Sequence, residues 1–239
     1  MCGRIAQHRA LQLYLRYLVR EQLQQPLFDD QPVGRFNVPP GTLVHLIRQE
    51  GSALETVLVK WGYAPPWARG RRAPAINARL ETAASSSFWR GIWSTGRSLV
   101  PADGWFEWVA DVHDPKRKQP YYLRLKTSEP MFLAAIAAFP QMGSRGGFAI
   151  ITDDSDEGMV DIHDRRPVVL PADIAREWLD ASMPAHYAQD LARYHSLPVD
   201  AFEWYPVSKA VGSVRNDGPE LIAPLPPEDE SLQDSLSLF

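Results

Sequence analysis

The chain has 239 residues, of which 45% are hydrophobic and 23% are charged, a composition typical of a globular protein that can bury a core. Its single cysteine excludes an intramolecular disulfide and favours a reducing compartment. No signal peptide is evident at the N-terminus, and the longest apolar run, residues 131–139, is too short to span a bilayer. We therefore expect a cytoplasmic protein without a membrane partner.

Charge is segregated along the chain, although the net charge is only −4. Residues 60–100 hold seven basic residues against one acid, whereas residues 216–239 hold six acids and no lysine or arginine. Because phosphates respond to the local potential, a basic segment keeps nucleic acid open as a partner despite the acidic average.

In chain order, the spacing of Leu11, Leu15 and Leu18 predicts an amphipathic helix over 8–19. Two prolines and a glycine then predict a turn over 36–41. The further predicted elements are strands over 42–48 and 53–63, a loop over 65–72, a strand over 98–109 interrupted at Pro101 and at Asp103-Gly104, its partner over 120–126, buried strands over 131–139 and 146–152, helices over 172–180 and 185–195, and a strand over 204–207.

Many short strands with few helices, and no regular βαβ alternation, predict an α+β fold with mainly antiparallel mixed sheets. We expect a single domain over residues 1–224. Residues 225–239 are rich in proline, acid and serine, and their composition predicts a disordered acidic tail.

Cys2 has an unusual position, because removal of Met1 would make it the N-terminus. A free N-terminal cysteine carries a thiol beside an α-amine whose reference pKa is about 7.7–8.0. Such an amine can form a Schiff base with an aldehyde, and the thiol can then close a five-membered thiazolidine. The thiolate alone could instead be an acyl-transfer nucleophile, or the cysteine could simply be a small buried hydrophobic residue.

Three polar residues lie in apolar surroundings. Glu107 is flanked by aromatic residues, which would raise its pKa and suit it to proton transfer, although it could equally lie on the solvated face of a strand. His163 could transfer protons or cap a turn. Asn77 could anchor an amine or a sugar hydroxyl, or be an ordinary turn residue.

Tryptophans near arginines could stack unpaired bases or belong to the core; they are Trp67, Trp105 and Trp108. The sequence has no Walker loop, GxGxxG or GxSxG motif, and its six histidines lack zinc-binding spacing. We therefore expect neither a metal nor another cofactor.

Together, several blocks resemble the SOS response-associated peptidase (SRAP) family. They are MCGR at 1–4, NVPPG at 37–41, WGxxPxW at 61–67, NARxET at 77–82, PADGWFEW at 101–108, KQPYY at 118–122, IHDRRPVVL at 162–170, VSxxV at 207–211 and NDGPEL at 216–221. The blocks occur in the family's order over nearly the whole chain. The sequence departs from the family's usual pattern at Ser98, where a cysteine is common, and at Arg166, where a methionine is usual.

The resemblance implies that the protein senses abasic sites in single-stranded DNA, including those at junctions between single and double strands. A thiazolidine crosslink to Cys2 would shield the lesion reversibly during DNA repair in the SOS response. Removal of Met1 by the protein itself and weak abasic-site lyase activity would accompany this reaction. The same resemblance leads us to expect a monomer, associated with the nucleoid if the protein is bacterial.

The resemblance also assigns roles to individual residues. Cys2 would be the nucleophile, Asn77 would position the N-terminus and the lesion, Glu107 would be the general acid and base, and His163 would assist sugar-ring opening and crosslink reversal. The residues that would contact DNA are Arg4, Asn37, Pro39, Pro40, Trp67, Arg79 and Trp108.

Two other functions remain open at this point. The protein could be an N-terminal-cysteine peptidase or amidohydrolase in which Glu107 and His163 activate the thiol. It could also bind single-stranded or modified DNA without a covalent bond, and then Cys2 would be incidental.

Overall fold

A computed structural model describes residues 2–19, 31–111, 114–140, 146–155 and 157–226. Its α-helices are α1 (Leu11–Val19), α2 (Leu80–Ala83), α3 (Arg90–Trp93), α4 (Ala172–Trp178) and α5 (Ala185–Tyr194). Its strands are β1 (Ile5–Gln7), β2 (Arg35–Val38), β3 (Leu43–Glu50), β4 (Ala53–Lys60), β5 (Asn77–Arg79), β6 (Arg97–Ala102), β7 (Gly104–Ala110), β8 (Lys118–Leu125), β9 (Met131–Ala138), β10 (Gly147–Asp154), β11 (Arg165–Pro167), β12 (Val169–Leu170) and β13 (Phe202–Pro206).

The strands form two sheets. The smaller sheet has the order β13-β8-β7-β1-β2, and the larger has the order β11-β10-β9-β6-β3-β4, with β12 beside β9 and β5 beside β10. Most neighbours are antiparallel, whereas β5 and β10 pair in parallel. The predicted α+β class with mainly antiparallel mixed sheets is confirmed.

Hydrophobic side chains divide the protein into layers. The helices pack on one face of the larger sheet around residues such as Trp93 and Trp178. The two sheets enclose a second core, which contains Cys2 and Trp105. A third, smaller cluster, including Phe106, lies between the small sheet and the chain after β13. Burial of these apolar surfaces is the main stabilising contribution to the fold.

Several elements differ from the sequence-based expectation. The predicted turn over 36–41 begins later, because residues 36–38 still pair with β1 as part of β2. The 98–109 strand is interrupted only at Asp103, and Pro101 lies within β6 opposite Phe132. No helix among the described residues is both long and apolar enough to cross a membrane. The predicted tail lies outside the described residues from position 227 onward.

Strand β1 places the N-terminal residues inside the protein. It lies between β2 and β7, with Ile5 paired to both Val38 and Trp105. The Phe106 N–H donates to the Arg4 carbonyl at 2.9 Å. Because β7 also carries Glu107, this pairing fixes that carboxyl on the strand beside the N-terminal segment.

Gly104→Ala should lower the free energy of unfolding by about 2 kcal/mol, an overpacking cost. A Cβ at position 104 would lie 2.2–2.4 Å from ring atoms of Tyr122, a side chain that is itself buried in the third cluster. Gly91→Ala is the matched control, because a Cβ there meets nothing within 4 Å. Urea unfolding would measure both variants, and equal stabilities would contradict the packing argument.

Candidate functional site

Cys2 lies at the centre of the candidate site and is fully buried between the two sheets. Its backbone carbonyl accepts a hydrogen bond from Asn77 Nδ2 at 2.9 Å. Burial raises the pKa of the Cys2 thiol, and the nearby negative charge of Glu107 raises it further. The thiol is therefore protonated near neutral pH in this arrangement.

Glu107 is 4% exposed on β7. Burial raises the pKa of its carboxyl from the ordinary 4.5 to about 7, and the charge of Asp164 acts in the same direction. A carboxyl that titrates near neutrality can both donate and accept protons at working pH. The sequence-based inference of a desolvated Glu107 is consistent with this environment.

His163 lies next to Asp164 just before β11. Burial lowers the pKa of its imidazole below the ordinary 6.5, so the neutral ring predominates near pH 7. Its Nδ1 accepts the Arg165 N–H at 3.0 Å, and the proton of the neutral ring is then on Nε2. A protonated ring would instead donate from Nδ1 to Asp164 Oδ1, which is 2.6 Å away.

Strand β5 supplies two predicted site residues. Asn77 holds Cys2 through Nδ2, while its buried Oδ1 has no hydrogen-bond partner among the described residues. An unsatisfied buried acceptor is costly, so this oxygen favours a ligand with an N–H or O–H group. Arg79, at the other end of the strand, is exposed.

A second group surrounds Arg4. Its Nη1 donates to Asn37 Oδ1 at 2.5 Å and to the Val211 carbonyl at 2.9 Å. Its guanidinium carbon lies 5.6 Å from the centroid of the Trp108 ring, within the range of a cation–π contact. Arg4 is therefore held in place from several sides, and it is only half-buried.

Asn37 is 1% exposed. Its Nδ2 donates to the carbonyls of Val211, Ser213 and Asn216 at 2.7–3.2 Å. Direct contact between this amide and DNA would require those bonds to break. In this arrangement Asn37 orients Arg4 and anchors the C-terminal segment, whereas sequence analysis grouped it with the DNA contacts.

The remaining predicted DNA-contacting residues lie on loops. Pro39 and Pro40 are half-buried in the turn after β2, which Gly41 completes with φ 84°, a conformation that favours glycine. Trp67 is 55% exposed on a short 3-10 turn. The structure brings Cys2, Asn77 and Glu107 together, and Trp67 lies on a separate surface loop.

Two charged neighbours were missed as site residues by sequence reasoning. Asp164 raises the pKa of Glu107, and Lys118, at the start of β8, lowers that of His163. Asp164 could have been inferred from its adjacency to His163, whereas Lys118 is the first residue of the KQPYY block at 118–122, which does not indicate that it lies near His163. Among the described residues, no group of three or more His, Cys, Asp or Glu side chains could hold a metal ion.

Alkylation of the Cys2 thiol by iodoacetamide at pH 7.5 should be at least about 10-fold slower in the folded protein than in urea, because burial restricts access and suppresses the thiolate. Intact mass reports the reaction directly, since Cys2 is the single cysteine in the sequence. Glu107→Gln should accelerate native-state labelling, since it removes a negative charge that raises the thiol pKa. Fast native labelling would contradict this account.

The sequence of this chain is similar to those of known proteins over most of its length. The model of the family described as SOS response associated peptidase (SRAP) matches residues 1–214. The abasic site processing protein YedK of Escherichia coli K12 is 42% identical over 227 residues, which cover 94% of this chain and all of YedK. The abasic site processing protein HMCES of Gallus gallus is 30% identical over 75% of this chain and 61% of its own length.

Solved structures show the same architecture. A phage-related protein from Bordetella bronchiseptica is 41% identical and superimposes with a TM-score of 0.74, covering 87% of this chain and 95% of that one. A protein from Bacteroides thetaiotaomicron, 20% identical, has the same fold with a TM-score of 0.73 and covers 94% of this chain and all of its own. The chain belongs to the SOS response associated peptidase (SRAP) family.

Proposed function

We propose that this protein captures abasic sites in single-stranded DNA by forming a thiazolidine with Cys2, and thereby shields the lesion during DNA repair. The observation that carries the proposal is the pairing of Cys2 with two specific groups. Asn77 holds the Cys2 carbonyl, and Glu107 supplies a buried carboxyl that titrates at about 7. The relatives named as abasic site processing proteins support the same assignment.

The reaction begins when Met1 is removed, by the protein itself or by an aminopeptidase. Its removal frees the α-amine of Cys2. The amine attacks the aldehyde carbon of the ring-opened abasic sugar and forms a carbinolamine. Protonated Glu107 donates to the departing hydroxyl, water leaves, and a Schiff base remains.

Ring closure follows on the same carbon. The Cys2 sulfur bonds to the imine carbon, and the thiol proton passes by way of Glu107 to the imine nitrogen, which becomes a secondary amine. The sum of the two steps is aldehyde plus aminothiol giving thiazolidine plus water. The raised pKa of the thiol favours this order, because little thiolate is present to compete with the amine for the aldehyde in the first step.

The other residues have supporting roles in this proposal. The Nε2–H of His163 assists opening of the sugar ring, and the same group assists reversal of the crosslink. The free Oδ1 of Asn77 accepts a hydrogen bond from the new α-amine or from a sugar hydroxyl. Arg4 and Arg79 contact phosphates, Trp67 and Trp108 line the DNA path, Pro39 and Pro40 meet a duplex end, and Asn37 positions Arg4.

The same chemistry predicts weak strand cleavage. While the Schiff base persists, loss of a proton beside it allows elimination of the 3′ phosphate, and thiazolidine closure competes with that route. A peptidase that uses a Cys2 thiolate is less well supported, because both burial and Glu107 disfavour the thiolate. We expect the protein to act as a monomer on single strands in the cytoplasm.

A denaturing gel tests the proposal. Protein verified by mass to lack Met1 is mixed with a single-stranded oligonucleotide containing one abasic site, beside an oligonucleotide with every base intact. We expect a heat-stable band that needs the lesion, with a mass equal to protein plus DNA minus one water. Cys2→Ala should give no such band.

Cys2→Ser separates the two steps, since it keeps the α-amine and loses the thiol. It should form an adduct only when borohydride reduces the imine, whereas the wild-type band should survive heating without borohydride. A heat-stable band from Cys2→Ala would refute the assignment. So would a wild-type protein that binds the lesion reversibly and forms no covalent species.

A further inference from the structure

The loop of residues 64–74 carries three exposed arginines that have no role in the proposed reaction. We call it the arginine loop. It is closed at its base by two backbone hydrogen bonds, Tyr63 N–H to the Ala75 carbonyl at 2.9 Å and Ala75 N–H to the Tyr63 carbonyl at 2.8 Å. Further backbone bonds to the Ala68 carbonyl, from the N–H groups of Arg71 and Arg72, order its tip.

Three cations project from this loop within four positions. Arg69, Arg71 and Arg72 are all exposed. Within the described part of the chain, no carboxylate lies within 4.0 Å of any of their guanidinium groups. Clustered cations without acidic partners repel one another, so binding of an anion would relieve that repulsion.

An aromatic platform stands beside the arginines. The exposed ring of Trp67 meets Phe88 edge-on with centroids 6.0 Å apart. Phe88 in turn contacts Trp89 at 4.6 Å, and Trp89 stacks on Tyr63 at 5.6 Å. Because half-buried Phe88, itself packed on buried Trp89, supports its ring, Trp67 presents a large surface to solvent at little entropic cost.

The arginine loop is continuous with the candidate site. Its closing residue, Ala75, is two residues before Asn77, which holds Cys2. Between them, the Ile76 carbonyl accepts a hydrogen bond from Trp61 Nε1 at 3.0 Å, which anchors this connection to the core. The loop and Asn77 therefore belong to one continuous segment, and a DNA strand that leaves the lesion on this side can extend onto the loop.

We propose that the arginine loop binds the phosphodiester backbone of the single strand flanking the captured lesion. Arg69, Arg71 and Arg72 contact successive phosphates while an unpaired base stacks on Trp67. The inference rests on the proposed function and adds to it the three arginines and a binding site outside the catalytic residues. Contacts of this kind raise affinity without selecting a base sequence, which suits a protein that meets lesions in any context.

The first test measures binding to a lesion-free, fluorescently labelled 20-nucleotide oligothymidylate by anisotropy between 50 and 200 mM salt. Arg69→Ala/Arg71→Ala/Arg72→Ala should weaken binding at least about 10-fold at 100 mM salt. It should also reduce the slope of log K against log salt by about 2, since each phosphate contact on a single strand contributes about 0.7.

Lys126→Ala/Arg176→Ala/Arg193→Ala is the matched control, because it removes the same charge from exposed positions on other elements. It should change affinity less than about 2-fold. Equal losses of affinity in the two triple variants would mean that net charge alone determines binding, and the proposal would be overturned. An unchanged affinity in the loop variant would overturn it as well. Both variants change only exposed side chains, and their melting temperatures should match that of the wild type.

The second test uses the abasic oligonucleotide and reads covalent capture. The loop variant should need a higher DNA concentration for half-maximal rate, while its rate at saturating DNA stays within about 2-fold of wild type. A lower saturating rate would place the arginines in the chemistry and contradict a purely flanking role. If even wild type forms no crosslink, the proposed reaction fails, yet the anisotropy result still decides the binding role of the loop.

The third test measures binding to a 20-base-pair duplex by anisotropy. The stacking of an unpaired base on Trp67 requires a single strand, so Trp67→Ala should lose less affinity for the duplex than for oligothymidylate. Equal losses would contradict the assignment to single strands. Trp67→Ala should weaken single-strand binding by about 5-fold or more, since stacking on one aromatic ring contributes about 1–3 kcal/mol per base.

Discussion

Glu107→Gln is expected to slow covalent capture of an abasic-site oligonucleotide at pH 7 by about 100- to 1000-fold, the usual contribution of a positioned general acid or base. Glutamine keeps the shape and polarity of the side chain but cannot exchange a proton. Single-turnover formation of the heat-stable band measures the rate. A loss below about 3-fold would remove Glu107 from the proton-transfer steps.

The pH dependence of the capture rate should differ between wild type and Glu107→Gln. The wild-type rate should rise as the Cys2 amine deprotonates, with a reference pKa of about 7.7–8.0, and fall as Glu107 loses the proton needed to expel water. Burial raises the pKa of Glu107 to about 7, so the maximum should lie near neutrality. In Glu107→Gln the alkaline fall should disappear, leaving a slow rate that rises to a plateau.

His163→Gln serves as the control for this profile. The pKa of His163 is lowered from 6.5, mainly by burial, so this group cannot produce a fall in rate above pH 7. The His163 variant should therefore keep the alkaline limb although it is slower. If the fall in rate at alkaline pH vanished in His163→Gln and persisted in Glu107→Gln, the proposed roles of these two residues would have to be exchanged.

The same carboxyl makes a testable contribution to stability. Its pKa is higher in the folded chain, about 7, than the ordinary 4.5, so the folded state binds a proton that the unfolded state releases between these values. Stability therefore falls as pH rises from about 4.5 to 7. Glu107→Gln should consequently be more stable than wild type at pH 8, by up to about 3 kcal/mol.

The fold was predictable where the hydrophobic pattern is long. The runs that form β9 and β10, and the alternation in β3 and β4, led to correct predictions of these strands. Strands β1, β2 and β5 were missed because three or four residues carry too little periodicity. Their pairing depends on the neighbours that the tertiary fold supplies, such as Ile150 beside Asn77.

The helix over 185–195 shows how a pattern can mislead. Tyr187, Leu191 and Tyr194 share helical spacing, and α5 does form, but the two tyrosines are exposed and only Leu191 of the three is buried. The buried face is completed instead by Ala188 and Ala192, because small side chains allow the helix to approach its neighbours closely. Size, rather than hydropathy alone, selects the packing face here.

The candidate site was predictable as a set of residues but not as an arrangement. Family blocks point to Cys2, Asn77 and Glu107 and imply that Asn77 positions the N-terminus, yet none indicates that its Nδ2 does so through the Cys2 carbonyl. Nor does any pattern show that Asn37 is buried, or that its amide nitrogen donates hydrogen bonds to backbone carbonyls. These facts arise from contacts over 75 and 179 positions of the chain, which local periodicity cannot encode.

Asp103→Asn is expected to lower the free energy of unfolding by about 3 kcal/mol, within the range found when a buried hydrogen-bonded charge loses its partner. Asp103 is the single residue between β6 and β7, where the chain passes from one sheet to the other. Its Oδ2 accepts the Tyr14 hydroxyl at 2.5 Å and the His8 N–H at 2.7 Å, and its Oδ1 faces Arg9 Nε at 2.9 Å.

Asparagine cannot replace this carboxylate, because it has one acceptor oxygen and one NH2 group. Whichever way the amide turns, either Arg9 or the pair of donors from His8 and Tyr14 faces another donor. Tyr14→Phe is the matched control and should cost less, about 1–2 kcal/mol, because it removes the bond donated to Asp103 and the bond accepted from the Arg9 N–H at 3.2 Å but leaves the carboxylate in place. Urea unfolding would rank the two variants, and a stability of Asp103→Asn equal to wild type would contradict the argument.

The same substitution should also slow the chemistry. The bonds of Asp103 fix the end of β1 through His8, and the strand begins at Ile5, directly after Arg4 and three residues after Cys2. Loosening that strand should lower the capture rate at saturating DNA while the affinity for lesion-free DNA changes less than about 2-fold. If the rate were unchanged at a temperature where the variant is folded, Asp103 would stabilise the sheet corner without positioning Cys2.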